Sequence, residues 1–294
     1  QPRRRAEEAG PHLALVRVGL PIDEKLPSLD QFDHMIVYVA EGDGGGRFVD
    51  VTDKHTDPAV VVPSHLAEKD ILVLRPAGAS LVRSGNVVPE GESFDVVREL
   101  HLAETGELVV DEQLSFRGNY SSAVRSYLQI VGEADRASLV QPVVASSGGM
   151  AQVESIEVEN LSEAVDPLVV RLRYQLDGKF SPLADDLVGS LPAGWEVDFL
   201  EAAHVEPRST PFRILSPQHV RTQTILHLPK GYEAQQVDRL ERDVANDFVT
   251  WRLKVAGAPE QIRWNFDAQT TSGTHAAERY KDYRRAMQES VSAI

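Results

Sequence analysis

His34 and Asp50 are the two side chains of this sequence whose types and spacing fit a defined piece of chemistry. His34 stands at the mouth of the run Gln31-Phe32-Asp33-His34-Met35-Ile36-Val37-Tyr38-Val39, and Asp50 lies within Phe48-Val49-Asp50-Val51-Thr52-Asp53. Acyl transfer by a cysteine needs a thiolate to attack the carbonyl and an imidazole to exchange its proton. It also needs a third group that orients the imidazole and stabilises its charged form. A histidine on one strand and a carboxylate on the next would supply the last two as a rigid pair. The 16 residues that separate them (50 − 34) include Glu41-Gly42-Asp43-Gly44-Gly45-Gly46, a glycine-rich tip able to close a hairpin. Phe48, Asp50 and Thr52 share a face of the second strand, so Asp50 can point towards His34. The nucleophile is absent, because the 294 residues contain no cysteine. A histidine and an aspartate on adjacent strands more often serve the fold than catalysis, so spacing alone does not assign the pair its role.

The elements that must position this pair are short and mostly extended. Residues 3–9 read as the end of a helix stopped by Gly10, residues 12–18 as a buried strand, and residues 19–29 as a loop. Strands are expected over 35–39 and 47–52, then over 71–74 and 80–82 after a polar, irregular stretch at 53–63. A polar, glycine-containing segment at 85–92 closes this first unit. Beyond it the period is two: Phe94, Val96, Leu100 and Leu102 share one face, and Leu108, Val110, Leu114 and Phe116 another, with Glu104-Thr105-Gly106-Glu107 as the turn. Tyr120, Val124, Tyr127, Leu128 and Val131 fall at helical spacing up to Gly132, and a second helix is expected over 134–140, ahead of Pro142. Strands resume at 153–158 and at Leu168, Val170, Leu172, Tyr174 and Leu176, with Arg171, Arg173 and Gln175 on the polar face.

The last third repeats the alternation at Trp195, Val197 and Phe199, at Val249, Trp251, Leu253 and Val255, and at Ile262, Trp264, Phe266 and Ala268. Residues 206–217, with three prolines, read as an extended crossing segment, and Ala276, Tyr280, Tyr283, Met287 and Val291 as one face of a terminal amphipathic helix. The expected fold class is α+β, predominantly β. It divides into a unit at 1–88, a β-rich, sandwich-like unit with a helical insert at 89–180, and a second β-rich unit with a C-terminal helix at 181–294.

Hydrophobic residues make up 42% of the chain, enough to supply a core to each unit. The net charge of −15 opposes binding to nucleic acid or to an anionic membrane surface, whose phosphates call for a surplus of Lys and Arg. No apolar run approaches the roughly 18 residues of a membrane span, and no signal-peptide pattern opens the sequence. Without cysteine there is no disulfide framework from which to infer a compartment.

Further residues around the pair carry a family resemblance. Pro27-Ser28-Leu29-Asp30-Gln31-Phe32-Asp33-His34, preceded by Leu13-Ala14-Leu15-Val16-Arg17 and followed by Val49-Asp50-Val51-Thr52, resembles the second half of a bacterial transglutaminase-like core. Such cores hold a Cys–His–Asp triad in a papain-like arrangement; Val51 stands where the family usually has proline. Leu108-Val109-Val110 through Gly118-Asn119-Tyr120, Arg125, the region from Val153 to Leu176, Leu228-Pro229-Lys230-Gly231-Tyr232, and the closing helix with Tyr280 and Tyr283 resemble the β-rich region that accompanies the core in large bacterial members. The resemblance places His34 as general base and Asp50 as the orienting group. It implies thiol-dependent acyl transfer or amide hydrolysis for an intact relative, without cofactor or metal. It also implies a protein or peptide as substrate or partner and an extracytoplasmic bacterial setting, in the periplasm or cell envelope.

The family's nucleophile is expected upstream at a helix start, where the dipole lowers the thiol pKa. Residues 1–27 contain no Cys, Ser or Thr, and Ser28 sits in a loop. The methionine-free start favours a truncated core over a nucleophile-less homologue, and such a core would leave a sheet edge open to self-association. The 294 residues themselves are expected to show no thiol-dependent turnover.

Other readings of polar residues are weaker. Asp50, Asp53, His55 and Asp57 match no calcium loop or zinc motif and read as a polar loop. His204, His219 and His227 read as surface or packing residues, Ser146-Ser147-Gly148-Gly149 as a linker, and the tryptophans as core. The main alternative is a non-catalytic β-rich module that binds protein or serves a structural role, in which His34 and Asp50 are fold elements.

Overall fold

The computed structural model describes residues 10–26, 28–41, 46–57, 62–86, 91–146, 150–192, 208–214, 217–235 and 240–291. The helix expected over 3–9, the glycine tip at 42–45, the Trp195–Phe199 strand and part of the 206–217 segment lie outside the described residues. The fold is α+β and predominantly β, as the alternating apolar pattern requires.

The first sheet is antiparallel and contains β1 (Pro11–Val16), β2 (His34–Ala40), β3 (Gly46–Val49), β4 (Asp70–Arg75) and β5 (Gly78–Arg83), in the spatial order β3-β2-β1-β4-β5. Ala14, Val16, Ile36, Tyr38, Phe48, Ile71 and Val73 are buried together with Leu66, and form a core separate from that of the rest of the chain. Register places His34 opposite Val16 and Val49 opposite Val37, so both functional candidates fall at strand ends. The strand expected over 47–52 stops at Val49, and residues 51 and 52 form a turn. The reason is local: the Asp50 carboxylate accepts from the Thr52 amide at 2.9 Å, which bends the chain out of the ladder.

The larger sheet contains β6 (Ser93–Leu102), β7 (Leu108–Phe116), β8 (Met150–Glu159), β9 (Leu168–Asp177), β13 (His219–His227), β14 (Leu240–Ala245), β15 (Val249–Ala258) and β16 (Gln261–Thr270). Two short pairs accompany it, β10 (Phe180–Leu183) with β11 (Asp186–Gly189) and β12 (Phe212–Ile214) with β17 (Gly273–His275). The order in the larger sheet is β14-β15-β16-β13-β6-β7-β9-β8, and only β6 and β13 run parallel. That contact hydrogen-bonds strands of the 89–180 segment to strands of the 181–294 segment, and one hydrophobic cluster spans both.

Helices α1 (Asn119–Ile130), α2 (Arg136–Ser146) and α3 (Tyr280–Val291) add Leu128, Val140, Val144, Tyr280, Tyr283 and Met287 to this cluster. The second helix was expected to end ahead of Pro142, yet α2 continues to Ser146 with the proline inside it. Burial of Val140 and Val144 on either side of the proline offsets the one backbone bond it removes. The Gln141 side chain also binds β8, accepting from the Val153 amide at 3.0 Å and donating to the Ala151 carbonyl. On the apolar face, Arg98 and Glu112 form a buried ion pair, Nε to Oε1 at 2.7 Å.

Candidate functional site

His34 opens β2, where the preceding Asp33 secures the strand mouth. The Asp33 amide donates to the Val16 carbonyl at 3.2 Å and its Oδ1 accepts from the Val18 amide at 2.8 Å. Asp50 follows the last residue of β3. The two side chains meet, with His34 Nε2 2.7 Å from Asp50 Oδ2. The other carboxylate oxygen, Oδ1, accepts from the Thr52 amide at 2.9 Å and the Thr52 hydroxyl at 2.7 Å. The Asp50 side chain is 4% exposed, and that of His34 24%.

Burial of Asp50 pushes its carboxyl pKa up, but the Thr52 hydroxyl, then His34 and the Thr52 amide, more than reverse this and bring it to about 2. The group is therefore ionised at neutral pH and can only accept hydrogen bonds. His34 therefore donates to it through an Nε2 hydrogen.

A third side chain reaches the same carboxylate, one that sequence reasoning missed. His65 Nε2 lies 2.9 Å from Asp50 Oδ2, and its ring stands edge-on to that of His34 with centroids 6.0 Å apart. His65 sits in a single 3-10 turn, Ser64–Leu66, ahead of β4. Leu66 anchors that turn: its side chain is fully buried, its amide donates to the Pro63 carbonyl at 2.9 Å, and its carbonyl accepts from the Ser84 hydroxyl. One turn offers no periodicity, so nothing in the sequence pointed to this histidine.

The residues after Asp50 are tied to the larger sheet's side of the molecule. Asp53 Oδ2 accepts from the Ser122 hydroxyl at 2.7 Å and from Thr56, while Asp57 Oδ2 accepts from the Asp166 amide at 2.9 Å. Burial raises the Asp53 pKa, but the Thr56 and Ser122 hydroxyls and the His55 amide bring it below its ordinary value. Arg125, 1% exposed, donates to the carbonyls of His55, Asn160 at 3.2 Å and Val165 at 2.8 Å, and lies 3.6 Å from Asp166. The polar residues 53–57 thus serve as hydrogen-bond anchors. Two groups of metal-ligating side chains occur among the described residues: His34, Asp50 and His65, and the more exposed Glu99, His101 and His227. His219 is bonded to Asp267 at 3.1 Å.

No protein-family model and no curated protein sequence matches this chain. The fold is similar to the crystal structure of a "putative protease" from Parabacteroides distasonis, with a TM-score of 0.48 and 11% sequence identity, over 96% of this chain and 38% of that one. The chain therefore spans well under half the length of that protein.

Proposed function

We propose that this chain carries the proton-transfer half of a transglutaminase-like site for thiol-dependent acyl transfer or amide hydrolysis. His34 is the general base and Asp50 the group that orients it. The observation that carries this reading is the 2.7 Å contact between His34 Nε2 and Asp50 Oδ2, made by a carboxylate whose other oxygen is clamped by Thr52. In the reaction His34 Nδ1 takes the thiol proton as sulfur bonds to the carbonyl carbon, and returns it to the departing amine. Asp50 stays ionised throughout and stabilises the imidazolium. The thiol comes from outside these 294 residues, since they contain none.

The test is expression of the whole reading frame that encodes this sequence, assayed with chelator present for iodoacetamide-sensitive hydrolysis or transamidation of a glutamine-containing peptide. His34→Ala and Asp50→Asn should each lower kcat by about 100- to 10,000-fold. Turnover untouched by His34→Ala would overturn the assignment, as would iodoacetamide-sensitive amidase activity in the purified 294-residue chain.

A further inference from the structure

The acyl-transfer reading needs one imidazole on Asp50, and two are present. His34 and His65 both direct Nε2 at the same oxygen, Oδ2, at 2.7 and 2.9 Å. Proton transfer to an acyl centre has no use for the second ring. Two imidazoles and a carboxylate whose ligating atoms lie within 4.8 Å of one another are, however, a donor set that suits Zn2+. The surroundings fit a ligand as well. Thr52 occupies Oδ1 with two hydrogen bonds, the kind of outer contact that fixes a ligating carboxylate and leaves its other oxygen to the metal. The ring side chains of His34 and His65 keep 24% and 29% exposure, which gives an ion a path to the buried Asp50.

We propose that His34, Asp50 and His65 form a Zn2+ site, and that its occupancy switches off His34 as a base. For a tetrahedral ion with bonds of about 2.0–2.1 Å, the ligating atoms should stand about 3.3 Å apart. The two Nε2–Oδ2 separations, 2.7 and 2.9 Å, therefore open by roughly half an ångström on binding. On binding, the Nε2 hydrogen of each imidazole leaves to solvent and one is taken up on Nδ1, so the rings stay neutral and nothing is oxidised or reduced. His34 then has Zn2+ on one nitrogen and hydrogen on the other, and no lone pair left to accept a thiol proton. The fourth position on the ion is open to water. Only the regulatory half rests on the acyl-transfer reading; the metal site stands on the geometry of the three side chains.

Calorimetric titration of the 294-residue chain with ZnCl2, and visible absorption with CoCl2, test the site. Thr52→Val should weaken Zn2+ binding by about 10-fold, as loss of an outer hydrogen bond does, and His65→Ala by more than that. His65→Gln, which keeps a donor for Asp50, serves as the second ligand deletion should alanine disturb the fold. His101→Ala should leave this affinity unchanged, because Glu99, His101 and His227 form a separate group. Wild-type affinity in both His65 variants, or binding that disappears with His101→Ala instead, would overturn the site. Zn2+ titrated into the turnover assay of the whole reading frame tests the switch, and undiminished turnover at saturating Zn2+ would overturn it. Turnover in chelator judges the acyl-transfer reading alone, so the two readings fail separately.

Discussion

Arg125→Ala removes one of the side chains that tie the segment after Asp50 to the rest of the molecule. The guanidinium is 1% exposed and serves three carbonyls, those of His55, Asn160 and Val165, besides its ion partner Asp166. Truncating one member of a buried charge pair costs about 3–5 kcal/mol, and three carbonyls left without this donor place the expected loss at the upper end. Against a total of about 5–15 kcal/mol for a folded chain, this removes a third or more of the stability. At about 2–4 °C per kcal/mol for a larger domain, the variant should melt about 10–20 °C lower. Arg125→Lys should recover only a small part, because one ammonium cannot address three divergent carbonyls in the way a planar fork does. Urea denaturation reads the energy, and hydrogen exchange of the amides at 53–57 and 160–166 reads where the loosening falls. A loss below about 1 kcal/mol, or unchanged protection of 53–57, would refute the bracing role.

Three further outcomes follow from contacts elsewhere. Asp50, with its pKa lowered to about 2 from 3.8, should stabilise the fold fully above pH 3.8 and cease to as the pH falls through about 2. The contribution is at most about 2 kcal/mol, less whatever solvent screens. The stability gap between the wild-type chain and Asp50→Asn, measured in urea at pH 6 and pH 2, should shrink by that amount; a constant gap contradicts it. In the buried Arg98–Glu112 pair, Arg98→Ala should cost about 3–5 kcal/mol, whereas Arg98→Met combined with Glu112→Leu should fall within about 1 kcal/mol of wild type by the same melts. Gly118 has φ +64°, and a Cβ there would stand 2.4 Å from the Gly91 carbonyl oxygen, so Gly118→Ala should cost at least about 2 kcal/mol; a neutral melt would show that the neighbours yield.

What could be read in the sequence was local. The alternation Leu168, Val170, Leu172, Tyr174, Leu176 and its polar counterpart became β9, buried on one face, and the turn at 104–107 joined β6 to β7. His34 at a strand mouth and Asp50 on a second strand could be paired in advance because a hairpin carries its register in the chain, although that strand ends at Val49, one residue before Asp50. Features set by distant partners could not. The parallel contact of β6 with β13 brings together Asp95 and Arg221, 126 residues apart, and no periodicity encodes such a match. His65 reaches Asp50 only because the buried Leu66 and the Ser84 hydroxyl fix its turn. Pro142 stays helical through burial of its neighbours and the Gln141 contact with β8, neither visible from propensity. Asp53 and Asp57 looked like loop carboxylates, and their partners are Ser122 in α1 and Asp166 in the connection before β9.

The proposed role of His34 requires that Asp50 hold its hydrogen on Nε2 and leave the Nδ1 lone pair free. Long-range 1H–15N correlation of the histidine rings in the metal-free chain at neutral pH reads this directly. The expected result is the Nε2–H tautomer for His34, with a hydrogen-bonded Nε2 proton that loses its protection in Asp50→Asn. A His34 ring found with its hydrogen on Nδ1, or one whose Nε2 proton is indifferent to Asp50→Asn, would contradict it.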